Sequence, residues 1–244
     1  MTTDAKKAQQ FYCALFDWQI QEMPIGPGVY RMIVCGPGPI GGMREEKSMA
    51  GSSWLPYVAV DDVDAMVGKI TQRKGTVRVP PTDLPETGRY AIVADPVGAA
   101  FAVYRGKPNW PGFDPDLPVP GRACWNELLS PDDKAAQAFY SAVFGWKEDP
   151  MDMGAMGVYR RQMLGDKQVG GMMKNPGGGA PNAWLVYFLA PDLSGSTQKA
   201  KQLGAKALIE NVPIPNIGAF SMFVDPVSAP FAMFCPDTPK SGKK

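Results

Sequence analysis

No histidine occurs anywhere in the 244 residues. That excludes Ser-His-Asp triads and Cys-His nucleophile pairs, and no GxSxG elbow appears either. It also removes the side chain that most often ligates a catalytic transition metal. Cysteine is sparse: Cys13, Cys35, Cys124 and Cys235 lie far apart, without the CxxC spacing of zinc or redox sites. They are expected to be small apolar fillers. Charge of one sign is lacking too, since 25 Lys and Arg oppose 24 Asp and Glu. The only basic cluster is the tail Lys240-Ser241-Gly242-Lys243-Lys244. Nucleic acid is therefore not an expected partner. No apolar run approaches the ~20 residues that span a bilayer, so a membrane is not expected either. The N-terminus reads as polar and helical rather than as a signal peptide, and a cytoplasmic location is expected.

What the chain does contain, it contains twice. Phe11, Tyr12, Phe16 and Trp18 recur as Phe139, Tyr140, Phe144 and Trp146 at an offset of 128. Trp54 and Tyr57 recur as Trp184 and Tyr187, and Asp95-Pro96-Val97 as Asp225-Pro226-Val227, at an offset of 130. A period this long exceeds the ~20–50 residues of solenoid units and indicates two small domains. Residues 1–105 form the first copy, 106–120 a Pro/Gly-rich semi-rigid linker, 121–238 the second copy, and 239–244 the basic tail. Pairing two such copies favours a ligand pocket, and a homodimer is also compatible.

Each copy opens with an amphipathic helix. Ala8, Phe11, Tyr12, Leu15 and Phe16, like Ala136, Phe139, Tyr140, Val143 and Phe144, follow the i, i+3, i+4, i+7, i+8 spacing. Ser130 is expected to cap the second of these, with Pro131 in its first turn. Strands follow over 28–34 and 157–163, then short strands to Met43 and Met172, then 55–60 and 185–190. A second helix is expected from about Asp62 to Lys74 and from Asp192 to Leu203. Two strands joined by the Asp-Pro-Val turn close each copy. Alternation puts Phe101 and Val103 on one face of the last strand, against the helix, and Ala102 and Tyr104 on the other. The second copy also has a preceding strand, Arg122 to Leu129, with Trp125, Glu127 and Leu129 on one face. The first copy starts where its equivalent ends. Either the strand lies upstream of Met1 or another segment takes its place.

This order resembles the vicinal oxygen chelate superfamily, which includes glyoxalase I, extradiol dioxygenases and the bleomycin and fosfomycin resistance proteins. The resemblance is carried by AFYSAVFGW (Ala138 to Trp146), VAVDDVDA (Val58 to Ala65), FVDPVSAPFAMF (Phe223 to Phe234) and Trp125-Asn126-Glu127-Leu128. It covers nearly the whole chain, is specific for fold and poor for function. It implies an α+β fold of tandem βαβββ modules whose mixed sheets form a cup with the helices outside. It also implies metal ligands on the first and last strands of each module. At those places this chain offers only Glu127; the last-strand positions fall on Ala102 and Ala232.

Glu127 is thus the candidate catalytic residue, as a base or as a hydrogen-bond acceptor for a ligand. Trp125, Tyr57, Tyr187, Tyr104, Phe234, Met43 and Met172 are candidate ligand-lining residues, with core packing as the alternative for the tyrosines and methionines. Arg31, Arg160 and Arg161 lie on strands and could pair an acidic ligand, with solvated edge positions the favoured account. Two functions stay open. One is a protein that binds a small organic molecule with no cofactor and no metal. The other is a divalent-metal-dependent lyase, isomerase or oxygenase of the glyoxalase type.

Overall fold

A computed structural model describes residues 1–25, 28–84, 87–107, 119–154, 157–175 and 182–237. Most of the linker expected over 106–120, and the tail from 239, lie outside the described residues. Four βαβββ repeats follow one another, two in each copy. The described part of the first is α1 (Ala5–Phe16), β1 (Gln19–Ile25), β2 (Gly28–Cys35), β3 (Gly38–Arg44). The second is β4 (Tyr57–Ala59), α2 (Val63–Gln72), β5 (Thr76–Leu84), β6 (Gly88–Ala94), β7 (Ala100–Gly106). The third is β8 (Ala123–Ser130), α3 (Asp133–Phe144), β9 (Lys147–Asp152), β10 (Val158–Leu164), β11 (Lys167–Lys174). The fourth is β12 (Ala183–Leu189), α4 (Leu193–Gln202), β13 (Lys206–Ile214), β14 (Gly218–Val224), β15 (Pro230–Pro236).

The compact units do not coincide with the two copies. One unit gathers the described residues within Met1–Trp54, Phe113–Cys124 and Tyr187–Lys244; the other gathers those within Leu55–Gly112 and Trp125–Val186. Each unit therefore joins a half of one copy to a half of the other. The physical reason is burial: a single βαβββ half cannot cover its own helix.

In unit 1, Phe11 and Tyr12 of α1 pack edge-on against Phe231 of β15 at 5.8 and 5.6 Å between centroids, while Trp18 and Trp54 meet Phe188. The strands run β1-β2-β3 in one sheet and β13-β14-β15-β12 in another. In unit 2 the orders are β4-β7-β6-β5 and β8-β11-β10-β9. Val93, Phe101 and Val103 from the first of these sheets share a core with Leu128 and Met172 from the second, together with Phe139, Tyr140 and Val143 of α3. Phe101 and Val103 point into the core, as alternation requires. Both sheets of unit 2 thus turn one face inward and one away.

Local chemistry sets the helix ends. Asp132, not Ser130, caps α3, its side chain accepting from the Ala135 N–H at 2.9 Å. Ser130 instead ends β8, and its hydroxyl accepts from the Asp132 N–H. Gly145 ends α3 in the left-handed region at φ 74°; the same place in α1 is held by Asp17 at φ 58°. No described helix is long and apolar enough to cross a membrane.

Two buried relays show the duplication at atomic level. Trp184 Nε1 donates to the Tyr140 hydroxyl at 3.0 Å, which donates to Asp95 Oδ2 at 3.3 Å, all within unit 2. In unit 1, Trp54 Nε1 donates to Tyr12 at 2.9 Å, and Tyr12 faces Asp225. Both aspartates also organise their Asp-Pro-Val turns: Asp225 Oδ1 accepts from the Val227 and Ala229 N–H groups at 2.9 and 2.7 Å.

The copies differ at one residue beside these turns. Asn182 donates to Asp95 at 3.3 Å, whereas its counterpart Ser52 bonds to Thr2 and Thr3 instead. Asp225 Oδ2 is left buried without a fully formed hydrogen bond, beside a recess of about 20 Å³ lined by Thr2, Tyr12, Ser52 and Trp54. Burial raises the Asp225 pKa above its ordinary value, against the lowering effect of the turn N–H groups and Tyr12. A carboxyl with a raised folded pKa contributes stability below its unfolded value near 4, and that contribution is lost as pH rises through the folded value. Asp225→Asn keeps the Oδ1 acceptor and cannot ionise. Chemical denaturation from about pH 3.5 to 7 should show a smaller fall in stability with rising pH for Asp225→Asn than for the parent. Parallel profiles would remove Asp225 as the cause.

Candidate functional site

On β8, Leu128 and Ser130 point to the core side, and Trp125, Glu127 and Leu129 to the face turned away. Parallel pairing sets Glu127 opposite Gly171 of β11 and Leu128 opposite Met172. Antiparallel pairing sets Tyr159 of β10 opposite Met173, on the same outward face. Gly171 carries no side chain, and the Tyr159 ring lies across it; a Cβ there would overlap the Tyr159 hydroxyl. A glycine is required because the aromatic ring occupies the space a side chain would take.

That placement builds a three-residue chain. Trp125 Nε1 donates to the Tyr159 hydroxyl at 2.7 Å, and the hydroxyl is hydrogen-bonded to the Glu127 carboxylate. Burial, then the Glu127 charge, push the Tyr159 pKa far above its ordinary value. Tyr159 stays protonated and acts as a donor. Glu127 is only 7% exposed, so its carboxylate sits at the end of a donor chain in a largely desolvated place. Beside it on β10, Arg161 pairs with Asp149 of β9.

The other sequence candidates are dispersed. Tyr57 and Tyr104 come together on the outward face of the β4-β7 pair in unit 2, their rings 6.1 Å apart and edge to face. Tyr57 is 54% exposed, and the Tyr104 hydroxyl donates to the Thr87 carbonyl. Tyr187 and Phe234 belong to unit 1, where Tyr187 is 6% exposed and packs on Phe220 at 6.0 Å. Met172 is a correction: it is fully buried in the core of unit 2, because it shares the inward face with Leu128. Met43 likewise is 5% exposed in unit 1 and borders the recess near Asp225 rather than an outward face.

The arginines are corrected as well. Arg160 is not at a solvated edge: its side chain is 12% exposed and bonded to Asp133 and Glu148 at 3.2 and 3.4 Å. Arg31 pairs with Glu22 at 3.0 Å. All four cysteines are free thiols; Cys35 is buried, and burial pushes the Cys124 thiol up to about 12, which leaves it unreactive. Tyr159 was not among the sequence candidates. The signal for it was the repeated Val-Tyr-Arg at 29–31 and 158–160, each facing a Gly-Gly-Met.

Comparison with known proteins bears on the family and the fold. The model of the Glyoxalase/Bleomycin resistance protein/Dioxygenase superfamily matches residues 1–103. The chain is 34% identical over 241 residues to "Putative glyoxylase CFP32" of Mycobacterium bovis, covering 96% of this chain and 92% of that protein. It is 35% identical over 182 residues to the anthracycline biosynthesis protein DnrV of Streptomyces peucetius, covering 74% and 64% respectively. In fold it is similar to the Mn(II)-bound glyoxalase of Novosphingobium aromaticivorans, with a TM-score of 0.66 at 15% identity, over 96% of this chain and 79% of that one.

Proposed function

Because the chain belongs to the Glyoxalase/Bleomycin resistance protein/Dioxygenase superfamily, we propose that it binds a small organic molecule on the Glu127 face of unit 2, without the metal centre common in that superfamily. The observation that carries this reading is the Trp125–Tyr159–Glu127 chain above Gly171. Two donors in series, Trp125 and Tyr159, hold a desolvated carboxylate in place. Such a group suits a ligand that presents an O–H or N–H donor, with the Trp125 ring offering an apolar surface beside it.

The donor set does not suit a catalytic metal ion. The chain has no histidine, and Ala102 and Ala232 stand at the last-strand positions. Among the described residues no group of three His, Cys, Asp or Glu side chains is placed to hold an ion. One carboxylate with water binds transition metals weakly, and three protein ligands are the usual requirement.

A thermal-shift screen of small molecules, followed by titration of the hits on Trp fluorescence, tests the reading. Glu127→Gln keeps the shape and removes the charge. It should weaken a genuine ligand by about tenfold or more, some 1.4 kcal/mol, while moving the melting temperature by no more than a few degrees. A hit that binds parent and Glu127→Gln equally would move the site elsewhere.

A further inference from the structure

One row of directly opposed residues crosses four strands of unit 2. Asp149 of β9 faces Arg161 of β10, Arg161 faces Gly171 of β11, and Gly171 faces Glu127 of β8. Opposed residues share a face, so all four lie on the outward face that carries Tyr159 and Trp125. The sequence neighbours of Arg161 turn the other way: Arg160 reaches Asp133 of α3, and Gln162 is fully buried. Arg161 and Glu127 are two strand spacings apart, about 10 Å between Cα atoms. Gly171 puts no side chain between them; the Tyr159 hydroxyl and Trp125 Nε1 occupy the space above it. A cation, an aromatic floor and a carboxylate therefore stand in line.

The sheet itself does not call for the arginine. The same register in the first repeat reads Gln21, Met32 and Gly42, with Tyr30 over Gly42 as Tyr159 is over Gly171. Nor does Asp149 satisfy the arginine. The ion pair uses Arg161 Nη2, and the two side chains are 34% and 46% exposed, so water weakens it and a competing anion can share the guanidinium. Arg161 Nε is buried and, among the described residues, makes no hydrogen bond. A planar guanidinium with five N–H donors suits a carboxylate taken on two of them, and the pair with Asp149 leaves that fork incomplete.

We propose that Arg161 makes the Glu127 face selective for a small carboxylic acid that also carries a hydroxyl or ammonium group. The acid's carboxylate pairs with the Arg161 guanidinium, its carbon skeleton lies over the Tyr159 and Trp125 rings, and its O–H or N–H donor turns to Glu127. The placement of the donor rests on the reading given for Glu127; the pairing with Arg161 stands on the row itself.

The probes are 3-(4-hydroxyphenyl)propanoate, whose ring can stack on the aromatic floor, its methyl ester, and 3-phenylpropanoate. Each is titrated at pH 7 into the parent, Arg161→Met and Glu127→Gln. The ester removes the charge that Arg161 reads, and the deoxy acid removes the donor that Glu127 accepts. The parent should bind the hydroxy acid about tenfold or more tighter than the ester. In Arg161→Met, which carries the residue of the first repeat, that preference should vanish. In Glu127→Gln it should persist, while the advantage of the hydroxy acid over the deoxy acid is lost. The acid-to-ester ratio is read within each protein, so a general loss of affinity does not move it; should Arg161→Met not accumulate, Arg161→Gln gives the same ratio. No binding of the hydroxy acid, equal binding of acid and ester by the parent, or a preference that survives in Arg161→Met overturns the proposal. A hydroxyl advantage that survives in Glu127→Gln overturns the Glu127 reading instead, so the two fail separately.

Discussion

Asp95→Ala is expected to cost about 3–5 kcal/mol of folding stability, the range for emptying a buried charged acceptor and stranding its donors. Asp95 is 2% exposed. Its Oδ1 accepts from the Val97, Gly98 and Ala99 N–H groups at 2.9, 2.7 and 2.9 Å, and its Oδ2 from Tyr140. Alanine takes their acceptor from the Val97 and Ala99 N–H groups, the Asn182 amide and the Tyr140 hydroxyl, while the Gly98 N–H keeps the Asp95 backbone carbonyl. For a chain of this length the melting temperature should fall by roughly 10 °C. Asp95→Asn keeps one acceptor oxygen in place and should lose much less. Equal losses for the two variants would mean that the carboxylate charge, rather than the acceptor geometry, holds the turn.

The second large effect is at Gly171. A valine there collides with the Tyr159 hydroxyl, and the ring must leave the sheet surface. That breaks the Trp125–Tyr159 bond and the bond to Glu127 together. The expected cost is about 2 kcal/mol from overpacking and lost hydrogen bonds, with ligand binding at Glu127 abolished. A double-mutant cycle distinguishes this cause from a general strand defect. Gly171→Ala should be markedly less harmful in a Tyr159→Ala background than in the parent. Additive losses would show that Gly171 serves something other than the tyrosine.

Much of the fold was legible because the duplication and the helix periodicity are strong, local signals. The helices fall within a residue or two of expectation, and the Asp-Pro-Val turns are where proline after aspartate puts them. Four strands were not legible: β1, β5, β9 and β13. Each lies at the end of its sheet order and carries proline or charge, as in QIQEMPI, TVRVPPTDL, KEDPMD and KALIENVPI. Edge strands tolerate these residues because one side makes no ladder bonds, and the same residues erase the apolar alternation that marks a strand. The interleaving of half-copies into units was also hidden. Periodicity says which face of α1 is buried, but not that Phe231 rather than a nearer residue covers it. In the candidate site, the outward alternation of Trp125 and Glu127 was readable from one strand. Tyr159 was not, because it lies two strands from Glu127, on β10, and reaches it only across Gly171 of the intervening β11.

The central claim is that Glu127 acts as a hydrogen-bonded carboxylate site and not as one ligand of a metal centre. Metal-stripped protein titrated with Mn²⁺, Fe²⁺ and Zn²⁺, with elemental analysis after gel filtration, tests it most directly. No stoichiometric metal should be retained, and the parent and Glu127→Gln should not differ. One equivalent of metal held by the parent and lost in Glu127→Gln would contradict it.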